Sequence, residues 1–234
     1  MLEAMGNEVS ATEGESEEKE EEDEWTSREE DEVSGGLWSL SHEVEDGQQV
    51  CVLTCAATGS SQAQLCQSGA EHLRLLRHPS IVKFLSYDPS LSPLVMVTEA
   101  VLPVWGVVSG MCEEGMVTGW RDIAKGLAFL HDKAKLSHNS LCCECVFVCA
   151  NTSHWKIGGF EAAAHHSKIN HTFIETIAAI RPPDTVPPED TNPTPESTPT
   201  VPCHSRDVWA LGQFMLSVAE EAQLSSEYTT GTPL

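Results

Sequence analysis

The chain has 234 residues, with 13 Lys and Arg against 36 Asp and Glu, and a formal net charge of −23. This balance excludes a general DNA, RNA or anionic-membrane binder, because phosphate recognition needs a cationic surface. No apolar run approaches the roughly 18 residues that predict a membrane helix, and Met1 is not followed by a signal peptide pattern. We therefore expect the nine cysteines to be thiols in a reducing cytosolic or nuclear compartment.

The acidic residues are concentrated at the start of the chain. Residues 1–33 contain 15 Asp or Glu and 2 Lys or Arg. Like charges repel and there is little apolar surface to bury, so we predict a disordered tail. Inside it, Met5-Gly6-Asn7-Glu8-Val9-Ser10 fits the N-myristoylation pattern, which would act only if translation began at Met5.

The first half of the globular part is predicted to be rich in strands. Residues 57–69 are small and polar and predict a loop or a frayed helix start, followed by a short helix that ends before Pro79. The predicted strand segments are 37–53 (two strands around a turn at 45–47), 81–85 and 94–98, with a turn at 89–93.

The second half is predicted to be mainly helical. Apolar residues recur with helical period in 120–132 and again in 207–222. Further predicted elements are a hairpin at 146–148 and 155–157, a short helix at 173–180, an extended proline-rich loop at 181–201, and an unstructured end at 225–234. Strands followed by helices are typical of an α+β fold, not of a parallel βαβ fold.

This order of elements resembles the protein kinase fold, and seven sequence landmarks at kinase spacing carry the resemblance. They are RHPSIVKFL (77–85), VMVTEAV (95–101), GLAFLH (126–131), LSHNSLCCECVFV (136–148), WKIGGFE (155–161), PPED (187–190) and RDVWALG (206–212). We therefore expect a bilobal α+β domain, truncated after the helix at 207–222. Its predicted parts are the acidic tail 1–33, an N-lobe at 34–99 and a partial C-lobe at 100–234.

The residues that phosphoryl transfer needs are missing from this pattern. Kinases require a strand lysine, its helix glutamate, a catalytic aspartate, metal-binding Asn and Asp residues, and a glycine-rich loop. No glycine-rich loop precedes Leu53, and the five other positions are predicted to hold Thr54, Gly69, Ser140, Cys145 and Gly159. A serine cannot act as the carboxylate base, and losing both metal ligands removes the charge neutralisation of the phosphates. We expect no catalytic residue and no metal site.

The resemblance implies that the apolar architecture is retained. The structural spine would consist of Leu73, Phe84, His138 and Phe160, anchored on Asp207, which would accept backbone hydrogen bonds near His138. The nucleotide cleft would be lined by Val52, Thr98, Glu99, Val101 and Phe147, with Val52 crowding the base. ATP binding is doubtful on this interpretation, and is not expected to need Mg²⁺.

The lost residues, together with HWKIGG (154–159), FIETIAAIRPP (173–183) and VPPED (186–190), resemble the Scy-like pseudokinases, most closely their ezrin-binding branch. This implies an inactive scaffold for membrane trafficking or cytoskeletal adhesion. Its partners would be an ezrin-like cytoskeletal linker or trafficking coat components. Its location would be cytoplasmic, with peripheral membrane association at the Golgi or at cell-edge structures.

Several alternatives stay open at this stage. A kinase with residual ATP binding or weak Ser/Thr phosphotransfer is the enzyme alternative, and a non-functional truncated product is another. Cys142, Cys143, Cys145 and Cys149 could suggest zinc, but the spacing lacks a second knuckle and favours core thiols.

Overall fold

The computed structural model describes residues 37–45, 47–55, 60–169, 171–178, 180, 183–188 and 204–230. The predicted acidic tail, its Met5 motif and most of the predicted proline-rich loop lie outside the described residues. The architecture is α+β, with a strand-rich first part and a mainly helical second part. This confirms the predicted fold class.

The first part is a four-stranded antiparallel sheet in the order β1-β2-β4-β3. Its strands are β1 (Trp38–Glu45), β2 (Gln48–Cys55), β3 (Phe84–Asp88) and β4 (Val95–Glu99). The first two strands pair from Trp38↔Cys55 to Glu45↔Gln48, which confirms the predicted hairpin. Gly47 has a φ of 76°, a conformation that glycine adopts without strain, so the tight connection falls there.

Helix α1 (Ser60–Leu75) is regular through the segment expected to be a loop or a frayed helix start. The helix buries Cys66, Ala70 and Leu73, which recur at helical spacing. Cys66 and Ala70 are small, so the hydrophobic period of the helix is weak in the sequence, although all three side chains are buried.

The predicted strand at 81–85 is displaced to β3. Ile81 and Val82 are buried at 2% and 4% exposure, and Ile81 forms an isolated parallel bridge with Ile157 instead of joining the first sheet. The apolar run therefore marks a chain segment that enters the core ahead of the strand.

The second part is built around two long helices and a three-stranded sheet in the order β5-β7-β8. Helix α3 (Glu113–Phe129) continues into a π-helical turn (Leu130–Ala134), and helix α5 spans His204–Thr230. The remaining elements are β5 (Val101–Pro103), α2 (Trp105–Val108), β6 (Leu136–Ser137), a 3₁₀ turn (Cys143–Cys145), β7 (Val146–Cys149), β8 (Trp155–Ile157), β9 (Ala164–His165), and a second 3₁₀ turn (His166–Lys168), then α4 (His171–Ala178) and a third 3₁₀ turn (Pro183–Thr185).

Helix α5 is longer than its apolar period indicates, and the predicted unstructured end at 225–234 is wrong as far as residue 230. After residue 222 the sequence contains neither proline nor glycine until Gly231, so nothing local stops the helix. The helix presents Val208, Trp209 and Leu216 to solvent. Within the described residues, no helix is both long and apolar enough to span a membrane.

One hydrophobic cluster joins both parts of the molecule. It contains Cys51 of β2, Leu73 of α1, Ile123 of α3, Ile157 of β8 and Phe214 of α5. A second, much smaller cluster lies on the other face of the first sheet and consists of Val50, Val52 and Val97. One face of β2 therefore packs in the main core, and the other face packs in the small cluster.

Candidate functional site

The buried carboxylate of Asp207 binds the backbone of the loop after β6. Asp207, near the start of α5, is fully buried and accepts hydrogen bonds from the backbone N–H groups of His138 (2.8 Å) and Asn139 (2.7 Å). The imidazole of His131 contacts the same carboxylate at 2.8 Å. Asn139 has a φ of 64°, and its amide donates to the carbonyls of Ser137 and Ala162 at 3.0 Å each. The loop is thus fixed from several sides.

Ser140, the predicted replacement for a catalytic aspartate, is 5% exposed. Its carbonyl accepts a hydrogen bond from the Cys145 thiol at 3.4 Å. A buried hydroxyl with an ordinary alcohol pKa has no means of taking a proton from a substrate hydroxyl.

His138 and Phe160 stack edge to face, with ring centroids 5.1 Å apart. His138 Nε2 donates to the Gly158 carbonyl at 2.8 Å, and burial lowers the pKa of this imidazole, so the ring is neutral. Leu73 lies in the same core as Phe160, and Phe84 packs against that core. Among the predicted spine residues, His138 therefore contacts Phe160 directly, and Asp207 binds the backbone of His138.

The two predicted metal positions meet each other directly. A Cβ atom added to Gly159 would lie 2.6 Å from the Sγ atom of Cys145. Gly159 has a φ of 68°, which disfavours any other residue. The hydrogen bond with Cys142 and burial raise the pKa of the Cys145 thiol, so it stays protonated. A neutral thiol packed on a glycine offers Mg²⁺ none of the oxygen ligands it prefers.

The strand register places Thr54 on the face of β2 that looks away from α1. Cys55 Sγ lies 2.8 Å from Cys66 Sγ of α1, so Cys51, Leu53 and Cys55 form the face of β2 that looks toward the helix. Leu53 packs against the main core, and Thr54 points to the opposite face. Neither Leu53 nor Thr54 is a lysine.

Gly69, predicted to replace the helix glutamate, faces a different carboxylate. A Cβ atom on Gly69 would lie 3.0 Å from Oε1 and 3.1 Å from the backbone nitrogen of Glu161. Glu161 Oε1 accepts a 2.6 Å hydrogen bond from the indole N–H of Trp38 in β1. Burial raises the pKa of Glu161 above its ordinary value. The missing side chain at Gly69 therefore leaves the space that Glu161 fills.

The backbone that connects the two parts is bonded to this chain's own side chains. The Val101 carbonyl accepts hydrogen bonds from Cys51 Sγ (3.2 Å) and from the imidazole of His42 (3.0 Å), and the Val101 N–H donates to Cys51 Sγ (3.3 Å). Burial raises the pKa of Cys51 to about 11, so the thiol keeps the proton that it donates. The backbone carbonyl and N–H of Val101 are thus both hydrogen-bonded to side chains of this chain.

The other predicted cleft residues are divided between the two faces of the sheet. Val52 belongs to the small outer cluster, whereas Cys51 belongs to the main core. Phe147 is 9% exposed, and the buried Thr98 hydroxyl donates to the Glu99 carbonyl at 3.2 Å. Glu99 Oε1 pairs with Lys156 Nζ at 2.8 Å and accepts the Lys83 N–H at 2.7 Å.

Sequence reasoning missed Cys51, His42, Trp38 and the role of Glu161. Cys51 could have been found, since strand alternation from Cys55 places it on the inner face. The contacts of Trp38 and Glu161 join residues 123 positions apart, and no local pattern indicates such a pairing. The described residues contain no group of three or more His, Cys, Asp or Glu side chains that could hold a metal ion.

Comparisons with known proteins agree with this geometry. A family model described as protein tyrosine and serine/threonine kinase matches residues 29–231. A mouse (Mus musculus) protein, "Protein-associating with the carboxyl-terminal domain of ezrin", is 34% identical over 149 residues, which are 64% of this chain and 20% of that protein. "Probable inactive serine/threonine-protein kinase scy1" from Dictyostelium discoideum is 23% identical over 186 residues, 78% of this chain and 23% of that protein.

The fold also matches solved structures. The crystal structure of Cex1p superposes with a TM-score of 0.61 at 17% sequence identity, covering 81% of this chain and 34% of that chain. This likeness shows the fold alone. The chain spans only 20% and 23% of the lengths of the two curated relatives above.

Proposed function

Since this chain belongs to the protein tyrosine and serine/threonine kinase family, with residues 29–231 matched, we propose that it is a pseudokinase, a catalytically inactive scaffold that binds protein partners. A relative at 23% identity is named as an inactive kinase, which supports this proposal. The spine residues and the Asp207 anchor retain the packing of the fold, whereas the polar positions needed for phosphoryl transfer hold other residue types. A domain that keeps its folded core but lacks the residues for phosphoryl transfer can still bind protein partners through its surface.

The contact between Cys145 and Gly159 carries the proposal. Phosphoryl transfer depends on metal ions that neutralise charge on the phosphates. Here the space beside Gly159 is filled by the Cys145 thiol, since a Cβ atom would come within 2.6 Å of the sulfur. Gly159 has no side chain that could supply a carboxylate. The Cys145 thiol is a poor ligand for Mg²⁺ and does not take the place of a carboxylate.

The connection at Val101 supports a scaffold that does not depend on nucleotide. In the family the resemblance implies, the backbone at this position would face the base of the nucleotide. Its carbonyl and N–H are both bonded to Cys51, and the carbonyl also to His42. A base would have to displace these bonds, and the Cys51 side chain fills the space next to them.

Thermal unfolding of the full chain tests this proposal. The midpoint is measured without nucleotide, with millimolar ATP and Mg²⁺, and with ATP and EDTA. We expect no shift in either case, because a ligand raises the midpoint only by binding the folded state. A shift that requires Mg²⁺ would refute the inactive assignment and favour the enzyme alternative, a kinase with weak Ser/Thr phosphotransfer. A shift in EDTA alone would leave the chain inactive but nucleotide-binding.

For partners, we propose an ezrin-like cytoskeletal linker or trafficking coat components, with a role in membrane trafficking or cytoskeletal adhesion. The name of the mouse relative, which associates with the carboxyl-terminal domain of ezrin, supports the first of these. On this proposal the protein is cytoplasmic and associates peripherally with the Golgi or cell-edge structures. The exposed side chains Val208, Trp209 and Leu216 on one helix support protein binding, since apolar patches of this kind commonly mark interaction sites.

Direct binding to a purified carboxyl-terminal domain of ezrin tests the partner proposal, with titration calorimetry as the measurement. We expect binding by the unaltered chain and at least about tenfold weaker binding by Trp209→Ala, the loss typical of an aromatic anchor. Val44→Ala is the matched control, because Val44 is exposed at 70% but lies on the distant β1 strand. Absence of binding by the unaltered chain would rule out this partner.

A further inference from the structure

Cys142 and Cys145 form a Cys-x-x-Cys pair on the loop that replaces the catalytic loop. The 3₁₀ turn Cys143–Cys145 begins immediately after Cys142, and the Cys145 N–H donates to the Cys142 carbonyl at 3.1 Å. This turn brings the two Sγ atoms to 3.6 Å. The backbone thus holds the sulfurs within a short side-chain movement of bonding distance, which is about 2.05 Å.

The two thiols have unequal chemistry. The hydrogen bond between the two sulfurs lowers the pKa of Cys142, and the same bond, with burial, raises the pKa of Cys145. One sulfur of the pair is therefore the better nucleophile, and the other keeps its proton until it is needed. This is the division of roles found in reactive Cys-x-x-Cys pairs.

Cys142 and Cys145 are more exposed to solvent than the other close pair of thiols, Cys55 and Cys66. Cys55 and Cys66 are closer, with Sγ atoms 2.8 Å apart, but they are only 4% and 0% exposed. Burial also raises the pKa of Cys66 far above its ordinary value. Cys142 and Cys145 are 8% and 9% exposed, so this pair lies closer to the surface than Cys55 and Cys66.

We propose that Cys142 and Cys145 are a modification site that hydrogen peroxide oxidises to a reversible disulfide. The Cys142 thiolate attacks one peroxide oxygen, the O–O bond breaks, and the departing hydroxide takes a proton to become water. The Cys145 sulfur then attacks the resulting sulfenic acid, the S–O bond breaks, and the hydroxyl leaves with the Cys145 proton as a second water. Two thiols lose two electrons, and one peroxide is reduced to two waters.

Oxidation would also change the neighbouring contacts. The thiol hydrogen that Cys145 shares with the Ser140 carbonyl at 3.4 Å is lost. The two sulfurs must also approach each other from 3.6 Å, which changes how the Cys145 sulfur packs beside Gly159. Formation of the disulfide would therefore change the conformation of the loop at 140–145. This inference does not depend on the absence of kinase activity.

The test is disulfide mapping of the unaltered full chain. The protein is treated with a stoichiometric amount of hydrogen peroxide, free thiols are alkylated under denaturing conditions, and tryptic fragments are sequenced by mass spectrometry. The peptide 136–156 contains Cys142, Cys143, Cys145 and Cys149, so fragment ions must assign the bond. We expect Cys142 and Cys145 to escape alkylation together, and to become fully alkylatable after treatment with a thiol reductant.

Three results would overturn the proposal. They are full alkylation of Cys142 and Cys145 after peroxide, a bond that involves Cys143 or Cys149 instead, and exclusive oxidation of Cys55 with Cys66. As a kinetic check, Cys142→Ser should slow peroxide consumption at least about tenfold, because the nucleophile is removed. Cys143→Ser is the matched control and should react at the unaltered rate. The mapping of the unaltered chain decides the question even if a variant fails to fold.

Discussion

At the scale of single residues, two pairs of residues have complementary shapes. Gly159 leaves room for the Cys145 thiol, and Gly69 leaves room for Glu161. In each pair, a residue without a side chain stands opposite a side chain that fills its space. Both positions are therefore closely packed, and a larger residue at either glycine would have to displace its neighbour.

The first prediction concerns Gly159→Ala. We expect a loss of about 2–4 kcal/mol in the free energy of unfolding, because the methyl group meets Cys145 Sγ and alanine is strained at a φ of 68°. Denaturant unfolding measures this change.

Gly212→Ala is the matched control for that substitution. Gly212 lies inside α5, and a Cβ atom there meets nothing within 4 Å. Alanine should stabilise the protein by about 1 kcal/mol through helix propensity. Equal effects of the two substitutions would contradict the packing described for Gly159.

The second prediction concerns the pH dependence of Glu161→Gln. Burial raises the folded-state pKa of Glu161, so the native chain binds this proton more tightly than the unfolded chain does. The contribution of Glu161 to stability therefore falls as the pH rises through its pKa. Glutamine keeps an oxygen for the Trp38 indole and carries no charge. We expect the variant to be more stable than the unaltered chain at pH 8, with a smaller advantage at pH 5.5.

Thermal unfolding at both pH values measures the effect, and Glu43→Gln on the exposed part of β1 is the control. That control should change stability by no more than about 0.5 kcal/mol at either pH. If Glu161→Gln gives the same difference at pH 8 and at pH 5.5, the buried carboxylate does not titrate as described.

Residue identities at the site could be predicted from sequence only where a landmark fixed the numbering. His138, Phe160 and Asp207 stand in strong landmarks, and the structure brings them together. Thr54 and Val52 were assigned from a strand that carries no such landmark, and both lie on the face of β2 opposite to Cys51 and Leu53. The partners of Val101 and Gly69 depend on tertiary contacts that no single sequence displays.

At the scale of elements, the loop after β6 and the start of α5 act as one unit. The Asp207 carboxylate binds two backbone N–H groups of the loop and the imidazole of His131, which follows helix α3. Three separate segments therefore converge on one buried side chain. The position of the loop depends on this convergence.

The third prediction is that Asp207→Asn destabilises the protein by about 2–4 kcal/mol. The amide retains one acceptor oxygen, so at least one of the two backbone N–H groups loses its acceptor. Denaturant unfolding measures the loss. Asp132→Asn is the control, since Asp132 is an exposed residue in the neighbouring π turn, and it should change stability by no more than about 0.5 kcal/mol.

Elements with a strong hydrophobic period were predictable, and those with small buried residues were not. The β7–β8 hairpin follows its pattern closely, and helix α3 contains most of the predicted segment 120–132 but begins earlier, at Glu113. The first half of α1 was expected as a loop or a frayed helix start because Cys66 and Ala70 give little hydrophobic signal although both are fully buried. The end of α5 was misjudged because residues 223–230 are mostly polar, although no proline or glycine stops the helix there.

At the scale of the whole molecule, a single core crosses from the first sheet to the second part. Ile157 of β8 is fully buried, and Ile81, which forms a bridge with it, comes from the segment just before β3. The described parts of the predicted N-lobe and C-lobe thus share one hydrophobic interior. We expect them to unfold together.

The fourth prediction follows from this shared core. Ile157→Ala should cost about 2–5 kcal/mol, as large-to-small changes in a core do, and should lower one common transition rather than the stability of one lobe. Calorimetry combined with circular dichroism and tryptophan fluorescence measures whether the transitions coincide. Leu75→Ala is the control, because Leu75 is 75% exposed and should have almost no effect. Two separate transitions in the unaltered chain would contradict a shared core.

The fit between Cys145 and Gly159 also limits which substitutions can be made one at a time. An aspartate at Gly159 would meet the sulfur of Cys145, and an asparagine at Cys145 would bring a bulkier side chain toward Gly159. Each single substitution is therefore expected to lower stability. An engineered metal site at this place would need both positions, and the packing around them, to be changed together.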